Sequence, residues 1–257
     1  MIECLARAGY FGKRKNRILT AISIICIHAL LLGCTSSGIY TKADQYGPTQ
    51  TAYAPPRGRG PVVILLSGID GPYRYQYIAE DLSKLGYYAV LLNGNDIVTL
   101  NQDGANNLEN AIDRAKNSSY DLARKVAVIG FSKGGYGALA IAAAMPDVVS
   151  AVVAYYPSLT RIKDYNEFAA HFMVPILVLA GVKDDYQGCC LIESMRAMDL
   201  AARAKGVSFE LVEYQDAGHA FNTVNYRPHD TADAWRRTIN MLSQHLPLNE
   251  EKDKGKK

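Results

Sequence analysis

The sequence predicts an α/β protein: a mostly parallel, doubly wound sheet flanked by helices, with no large lid. Three observations carry that expectation. The runs Pro61–Leu66, Tyr88–Leu92, Val126–Gly130 and Pro175–Ala180 have strand length and no polar alternation, as strands covered on both faces require. Stretches of helical length and composition alternate with them, and alternating β and α segments favour parallel strands joined by crossovers. Finally, Val126–Gly137, VAVIGFSKGGYG, drives a strand through Gly-Phe-Ser-Lys-Gly into an Ala-rich helical segment, Ala138–Met145.

The chain of 257 residues suits one sizeable α/β domain plus short flanking segments. Residues 1–33 read as an export signal: the basic cluster Lys13–Arg17 precedes the apolar run Ile18–Leu32, which is short for a membrane span. That run ends in Leu31-Leu32-Gly33-Cys34, which resembles a bacterial lipobox and implies cleavage before Cys34 and lipid attachment to its sulfur. The alternative is an uncleaved anchor with an incidental Cys34. Residues 34–49, rich in Gly, Ser, Thr and Gln, read as a tether. The expected location is the exported, periplasmic side of a bacterial cell envelope, with the protein held to the membrane surface.

The folded domain is expected over 50–247. Thr51–Pro56 is predicted as a short edge strand halted by Pro55 and Pro56. The buried strand Pro61–Leu66 follows, then the loop Ser67–Gly71 and a helix over Tyr73–Leu85 stopped by Gly86. After strand Tyr88–Leu92 come a loop, Asn93–Asp103, and a helix, Ala105–Lys116. Beyond the central motif, strands are expected over Val148–Tyr155, Pro175–Ala180 and Ser208–Tyr214, and helices over Leu191–Lys205 and Thr231–His245. The tail, 248–257, is charged and expected to be disordered.

Charge excludes one class of partner. The chain holds 28 basic and 25 acidic residues, but residues 1–33 contribute five of the former and one of the latter, leaving 23 against 24. That balance offers nothing to nucleic acid.

Gly130-Phe131-Ser132-Lys133-Gly134 is the pattern of a nucleophile held at a sharp strand-to-helix bend. The corner residue is strained, its neighbours two positions away must be small, and it sits at a helix N-terminus that favours negative charge. Ser132 is the candidate nucleophile, and a neutral hydroxyl needs a base and an orienting acid. Of the histidines, His28 lies in the signal, His171 between strands, and His229 and His245 at the ends of the last helix. His219, in DAGHAF just past the strand Ser208–Tyr214, stands where the base belongs. The acid should follow the preceding strand, in Gly181-Val182-Lys183-Asp184-Asp185; Asp184 is favoured over Asp185, which would cap the next turn, with Asp164 and Asp216 further off. The oxyanion hole is expected from two backbone donors, the N–H of Lys133 and that of Ile69 in the first-strand loop.

GFSKGG, AVVAYYPS, LAGVKDD and DAGHAF, in that order and spacing, resemble the dienelactone hydrolase family of the α/β-hydrolase superfamily over nearly all of Thr51–Leu246. The resemblance implies an α/β-hydrolase fold, with Ser132, Asp184 and His219 at the nucleophile, acid and base positions and Ile69 at the second oxyanion donor. The family's name-giving enzymes carry cysteine at the nucleophile and glutamate in the first-strand loop. Here Ser132 and Gly68 stand there, which argues against dienelactones themselves and for a serine carboxylesterase on small-molecule esters.

No cofactor or metal is expected, since the histidines and cysteines show no metal-ligand spacing in sequence. Cys189 and Cys190 are expected as two free thiols rather than a strained ring disulfide. Tyr73, Tyr75, Tyr155 and Tyr156 are candidates to line the substrate pocket. Three alternatives stay open on the same pattern: a thioesterase, a small peptidase, and a binding lipoprotein that keeps the fold without turnover.

Overall fold

Apolar strand composition has its expected consequence in the computed structural model, which describes residues 39–41, 48–122 and 125–248. The strands are β1 (Ile39–Thr41), β2 (Gln50–Tyr53), β3 (Val62–Leu66), β4 (Tyr88–Leu92), β5 (Val126–Phe131), β6 (Val149–Tyr155), β7 (Ile176–Gly181) and β8 (Phe209–Tyr214). They form one eight-stranded sheet in the order β1-β2-β4-β3-β5-β6-β7-β8. From β3 through β8 all neighbours pair in parallel, while β1 and β2 join antiparallel at one edge. The expected signal, Cys34, most of the expected tether and the tail beyond Leu248 lie outside the described residues.

Strand side chains alternate between two buried clusters. Val62, Ile64 and Leu66 point to one face, where α3 (Gly104–Lys116), α4 (Lys133–Ala140) and α6 (Ile192–Ala204) contribute Leu108, Leu139 and Met195. Val63 and Leu65 point to the other, against Ile78 and Leu82 of α1 (Gln76–Leu85) and Leu242 of α7 (Pro228–His245). Every residue of β3 is fully buried. Each such side chain contributes roughly 1.5–3 kcal/mol, so the absence of polar alternation in this strand marks the centre of the core.

Several boundaries differ from the sequence expectation. Ile39–Thr41, inside the expected tether, is a strand paired with Ala52, Thr51 and Gln50, so β2 lies between β1 and β4 rather than at the sheet's edge. The predicted helix Tyr73–Leu85 opens as a 3-10 turn, Pro72–Tyr75, and becomes α1 only at Gln76; it stops at Gly86 as expected. The predicted loop Asn93–Asp103 contains a single helical turn, α2 (Asn95–Val98). Helix α4 begins at Lys133, in the glycine-rich stretch before Ala138, and ends at Ala140, with Ala142–Ala144 in a 3-10 turn. Glycines are poor helix formers, but here tertiary contact overrides propensity. The short helix α5 (Tyr165–Ala169) is capped by Asp164, which accepts the N–H groups of Asn166 (2.8 Å) and Glu167 (3.2 Å).

The strand order places the site. The chain adds β4 on one side of β3 and then crosses back to add β5 on the other, so the connections leaving β3 and β5 diverge. In an open parallel sheet this divergence opens a crevice at the carboxyl ends of the two strands. Leu66 and Gly130 are paired there, and each strand leads at once into a candidate loop: Ser67–Gly71 from β3 and Ser132 from β5.

Candidate active site

Ser132 occupies the corner between β5 and α4 at φ 51° and ψ −113°, a left-handed conformation costing a non-glycine residue about 1–3 kcal/mol. Surrounding hydrogen bonds hold it there. Its N–H donates to Tyr155 O (2.9 Å), and its carbonyl accepts from Tyr136 N–H (3.1 Å) and Ser158 N–H (3.0 Å). The flanking glycines are needed for close approach. A Cβ on Gly130 would lie 2.3 Å from Gly134 O, and one on Gly134 would lie 2.2 Å from Leu66 O. The G-x-S-x-G spacing is thus a packing requirement of the bend.

The fold brings Ser132, Asp184 and His219 into one chain. Asp184 Oδ2 lies 2.8 Å from His219 Nδ1, and His219 Nε2 lies 3.1 Å from Ser132 Oγ. The Asp184 side chain is fully shielded and the imidazole is 12% exposed, so the pair works in a medium of low dielectric. Asp184 Oδ1 also accepts the N–H of Tyr186 (3.2 Å), the capping contact the sequence suggested for Asp185. Asp185 makes no side-chain cap. The remaining carboxylates have structural partners: Asp164 caps α5, and Asp216 pairs with Lys183 Nζ (2.6 Å). His171, in the turn after α5, lies 3.0 Å through Nδ1 from Glu167 O, and His229 and His245 lie in α7.

Aromatic rings fix the imidazole. Tyr186 stacks on it at 4.6 Å and 11° between planes, and Tyr156 meets it edge-on at 4.9 Å. Tyr156 is itself pinned, its hydroxyl donating to Asn222 Oδ1 at 2.6 Å, and burial pushes its pKa well up. The backbone after the base is tied by Asn225 Nδ2, which donates to His219 O (2.7 Å). Tyr186, Asn222 and Asn225 were not legible as site residues, because side-chain stacking across loops leaves no spacing signal.

The two expected oxyanion donors border the nucleophile. Lys133 is the first residue of α4, so its N–H has no carbonyl one turn back to bind. In the first-strand loop, Gly68 O accepts Gly71 N–H (3.1 Å) and Ser67 Oγ (3.2 Å). The N–H of Ile69 belongs to the same trans peptide and therefore points the opposite way. Asn95 Nδ2 holds this loop by donating to Ile69 O (2.9 Å). The Lys133 side chain turns aside to Asn95 Oδ1 (2.7 Å) and Thr99 Oγ1 (3.1 Å), and burial with Arg161 nearby lowers its pKa.

Two cavities meet at Ser132. One, of about 150 Å³, is lined by Gly68, Ile69, Tyr75, His219 and Thr223; the other, of about 240 Å³, by Lys133, Tyr136, Ser158, Arg161 and Cys189. Both are smaller than the roughly 300–1,000 Å³ that drug-sized ligands occupy. Of the four candidate tyrosines, only Tyr75 faces Ser132. Tyr73 is exposed, and Tyr155 and Tyr156 are buried in the core behind the site.

The expectation of free thiols is corrected: Cys189 and Cys190 are joined by a disulfide. Histidine and cysteine residues that show no metal-ligand spacing along the chain come together in the fold. The two sulfurs and a ring nitrogen of His219 lie within 4.8 Å of one another. Loop folding across the sheet edge creates that proximity, and in the disulfide the sulfurs are not thiolates.

Comparison with known proteins places the chain in a family and a fold. The model of the dienelactone hydrolase family matches residues 94–246. A protein of Yersinia pestis named as a proposed carboxymethylenebutenolidase is 30% identical over 227 residues, covering 76% of this chain and 83% of the relative. One of the same name from Escherichia coli strain K12 is 30% identical over 240 residues, covering 80% and 86%. Among solved structures, a proposed dienelactone hydrolase from Klebsiella pneumoniae superposes with a TM-score of 0.68 at 24% identity, over 81% of this chain and 98% of that one. A dienelactone hydrolase-like promiscuous phosphotriesterase, P91, from metagenomic libraries superposes at 0.67 with 17% identity, over 81% and 98%. At these identities the structural matches speak for the fold.

Proposed function

The chain belongs to the dienelactone hydrolase family, and we propose that it is a serine hydrolase cleaving small carboxylic esters through an acyl-enzyme on Ser132. The observation that carries this reading is the hydrogen-bonded chain from Asp184 through His219 to Ser132, at 2.8 and 3.1 Å. The relatives' name, which denotes hydrolysis of a butenolide ring ester, points to the same bond type.

In the proposed cycle His219 Nε2 takes the Ser132 proton as Oγ attacks the ester carbonyl carbon. The carbonyl π electrons move to oxygen, and the N–H groups of Ile69 and Lys133 receive the negative charge. Asp184 stabilises the imidazolium and keeps Nδ1 protonated. The imidazolium returns its proton to the departing alkoxide, which leaves as an alcohol. Water deprotonated by His219 then attacks the acyl carbon, and collapse of the second tetrahedral species releases the carboxylic acid and restores Ser132. The modest volume of both cavities favours short acyl and alcohol groups.

The same reading sets the enzyme on a membrane surface, by cleavage before Cys34 and acylation of its sulfur, on the periplasmic side of a bacterial envelope. Metabolic labelling with radioactive palmitate tests this: wild type takes up label and Cys34→Ala does not, while an unlabelled wild type removes the claim. For the chemistry, a fluorophosphonate probe should label wild type and leave Ser132→Ala and His219→Ala unlabelled. A p-nitrophenyl ester series of rising acyl length, run beside matched anilides and thioesters, should show turnover falling with length and confined to esters. Turnover of the anilide or thioester alone would transfer the reading to a peptidase or thioesterase. A probe that never reacts would leave a binding protein.

A further inference from the structure

We propose that the Tyr75 hydroxyl is a third donor to the oxyanion formed by Ser132 attack, beside the N–H groups of Ile69 and Lys133. The proposal rests on the serine-hydrolase reading above and adds a side-chain member to its oxyanion site. Its starting point is the bare face of Gly68. A Cβ placed there would stand 2.7 Å from the Tyr75 hydroxyl and 3.6 Å from Ser132 Cβ, so phenol and nucleophile flank a single point. Tyr75 and Ser132 also line the same cavity, together with Ile69 and His219.

The phenol is held as a preorganised donor should be. The Tyr75 residue is only 4% exposed, and its ring stacks at 4.4 Å on Phe131, the residue immediately before Ser132. Movement of the ring relative to the nucleophile is thereby restricted. The Gly68 backbone and the Tyr156 hydroxyl are the polar groups that border the phenol oxygen. The Gly68 amide can only donate, and the Tyr156 proton is already given to Asn222 Oδ1 at 2.6 Å. The Tyr75 proton is therefore the one free to turn toward negative charge in the cavity. The alkoxide of the tetrahedral species offers that proton a charged acceptor, where the substrate carbonyl offers only a neutral one. Such a donor binds the transition state better than the substrate, which is the condition for raising kcat. Burial raises the pKa of Tyr75, so the donor stays protonated through neutral and mildly alkaline pH.

Tyr75→Phe removes the oxygen and keeps the ring stack on Phe131. With p-nitrophenyl acetate, kcat should fall about 100–1,000-fold while KM stays within about twofold, as for loss of one oxyanion donor. The second-order rate of fluorophosphonate labelling should fall in proportion, since the phosphonyl oxygen takes the same place, and the melting temperature should hold. Gly68→Ala supplies the control, because its Cβ pushes the hydroxyl from its place. It should lower kcat in wild type and lower it further by less than about twofold in Tyr75→Phe, a non-additive pair. Wild-type kcat in Tyr75→Phe, a loss carried by KM and melting temperature, or full additivity with Gly68→Ala each overturns the proposal. Ser132→Ala on the same substrate separates the two levels. If it abolishes wild-type turnover, any of those results counts against Tyr75 alone; if wild type neither turns over nor labels, the hydrolase reading falls and takes this one with it.

Discussion

Replacing Asp184 by asparagine is the sharpest test of the acid assignment. The two residues have the same shape, and the Asn amide oxygen can still accept the Tyr186 N–H that Asp184 Oδ1 takes at 3.2 Å. What changes is the atom facing His219 Nδ1 at 2.8 Å. An amide NH₂ there donates, so Nδ1 must accept and the imidazole proton moves to Nε2. Nε2 then points a proton, not a lone pair, at Ser132 Oγ 3.1 Å away. Because the acid side chain is fully shielded and the imidazole only 12% exposed, water cannot readily restore the tautomer. Loss of a correctly oriented base in a Ser-His-Asp arrangement costs about 10⁴ in kcat. At 1.36 kcal/mol per tenfold, that is about 5.4 kcal/mol of barrier. Steady-state hydrolysis of p-nitrophenyl acetate by the wild type, Asp184→Asn and Asp185→Asn enzymes measures it. Asp185→Asn should stay within a few-fold of wild type. An Asp184→Asn enzyme within tenfold of wild type, or a larger loss from Asp185→Asn, would refute the reasoning.

Three further outcomes concern stability. Gly134→Ala places a Cβ 2.2 Å from Leu66 O and 2.5 Å from Ser67 O, and backbone cannot yield cheaply; the variant should lose about 2 kcal/mol or more and melt roughly 4–8 °C lower, and unchanged melting would show that the bend has slack. Tyr155→Phe deletes the buried hydroxyl bond to Thr238 Oγ1 (2.8 Å), while Thr238 keeps its bond to Ala234 O (2.9 Å); denaturant unfolding should register a loss of about 1 kcal/mol, and a stabilised variant would contradict the bond's value. Hydrogen bonds from Arg196 at 2.9 and 2.5 Å hold the Glu213 carboxyl below its usual pKa. A depressed folded-state pKa gives stability that is present above the unfolded carboxyl pKa and lost as pH falls through the folded one. The Arg196 and Glu213 side chains are 51% and 25% exposed, so solvent screens the pair and its contribution is small. Glu213→Gln should therefore melt about 1–2 °C below wild type at pH 7 and level with it in strong acid, and a gap that persists in acid would exclude the pair as its cause.

Much of the architecture was legible because burial leaves a signature in composition. A strand covered on both faces has no reason to alternate, so VVILL and YAVLL announce themselves, and the crossovers between them imply parallel pairing. The elbow was legible for a different reason, since Gly130 and Gly134 are demanded by backbone clearances of 2.3 and 2.2 Å. Placement after the strands then identified His219 and narrowed the acid to two neighbours. Composition failed where pairing overrides propensity. Ile39–Thr41 is a strand because β2 offers it an unpaired edge, and Lys133–Gly137 is helical because the bend must pass close to Leu66 and Ser67.

The order of elements and the residues at their carboxyl ends can therefore be read along the chain, because steric and solvation limits act locally. Packing in three dimensions selects which of two adjacent carboxylates meets the imidazole, stacks Tyr186 on it, joins Cys189 to Cys190, and sets Tyr75 in the same cavity as Ser132. Those outcomes depend on the rotation of loops about strand ends. A one-residue change in that rotation exchanges Asp184 for Asp185 without altering any local preference, so only packing across the sheet edge selects between them.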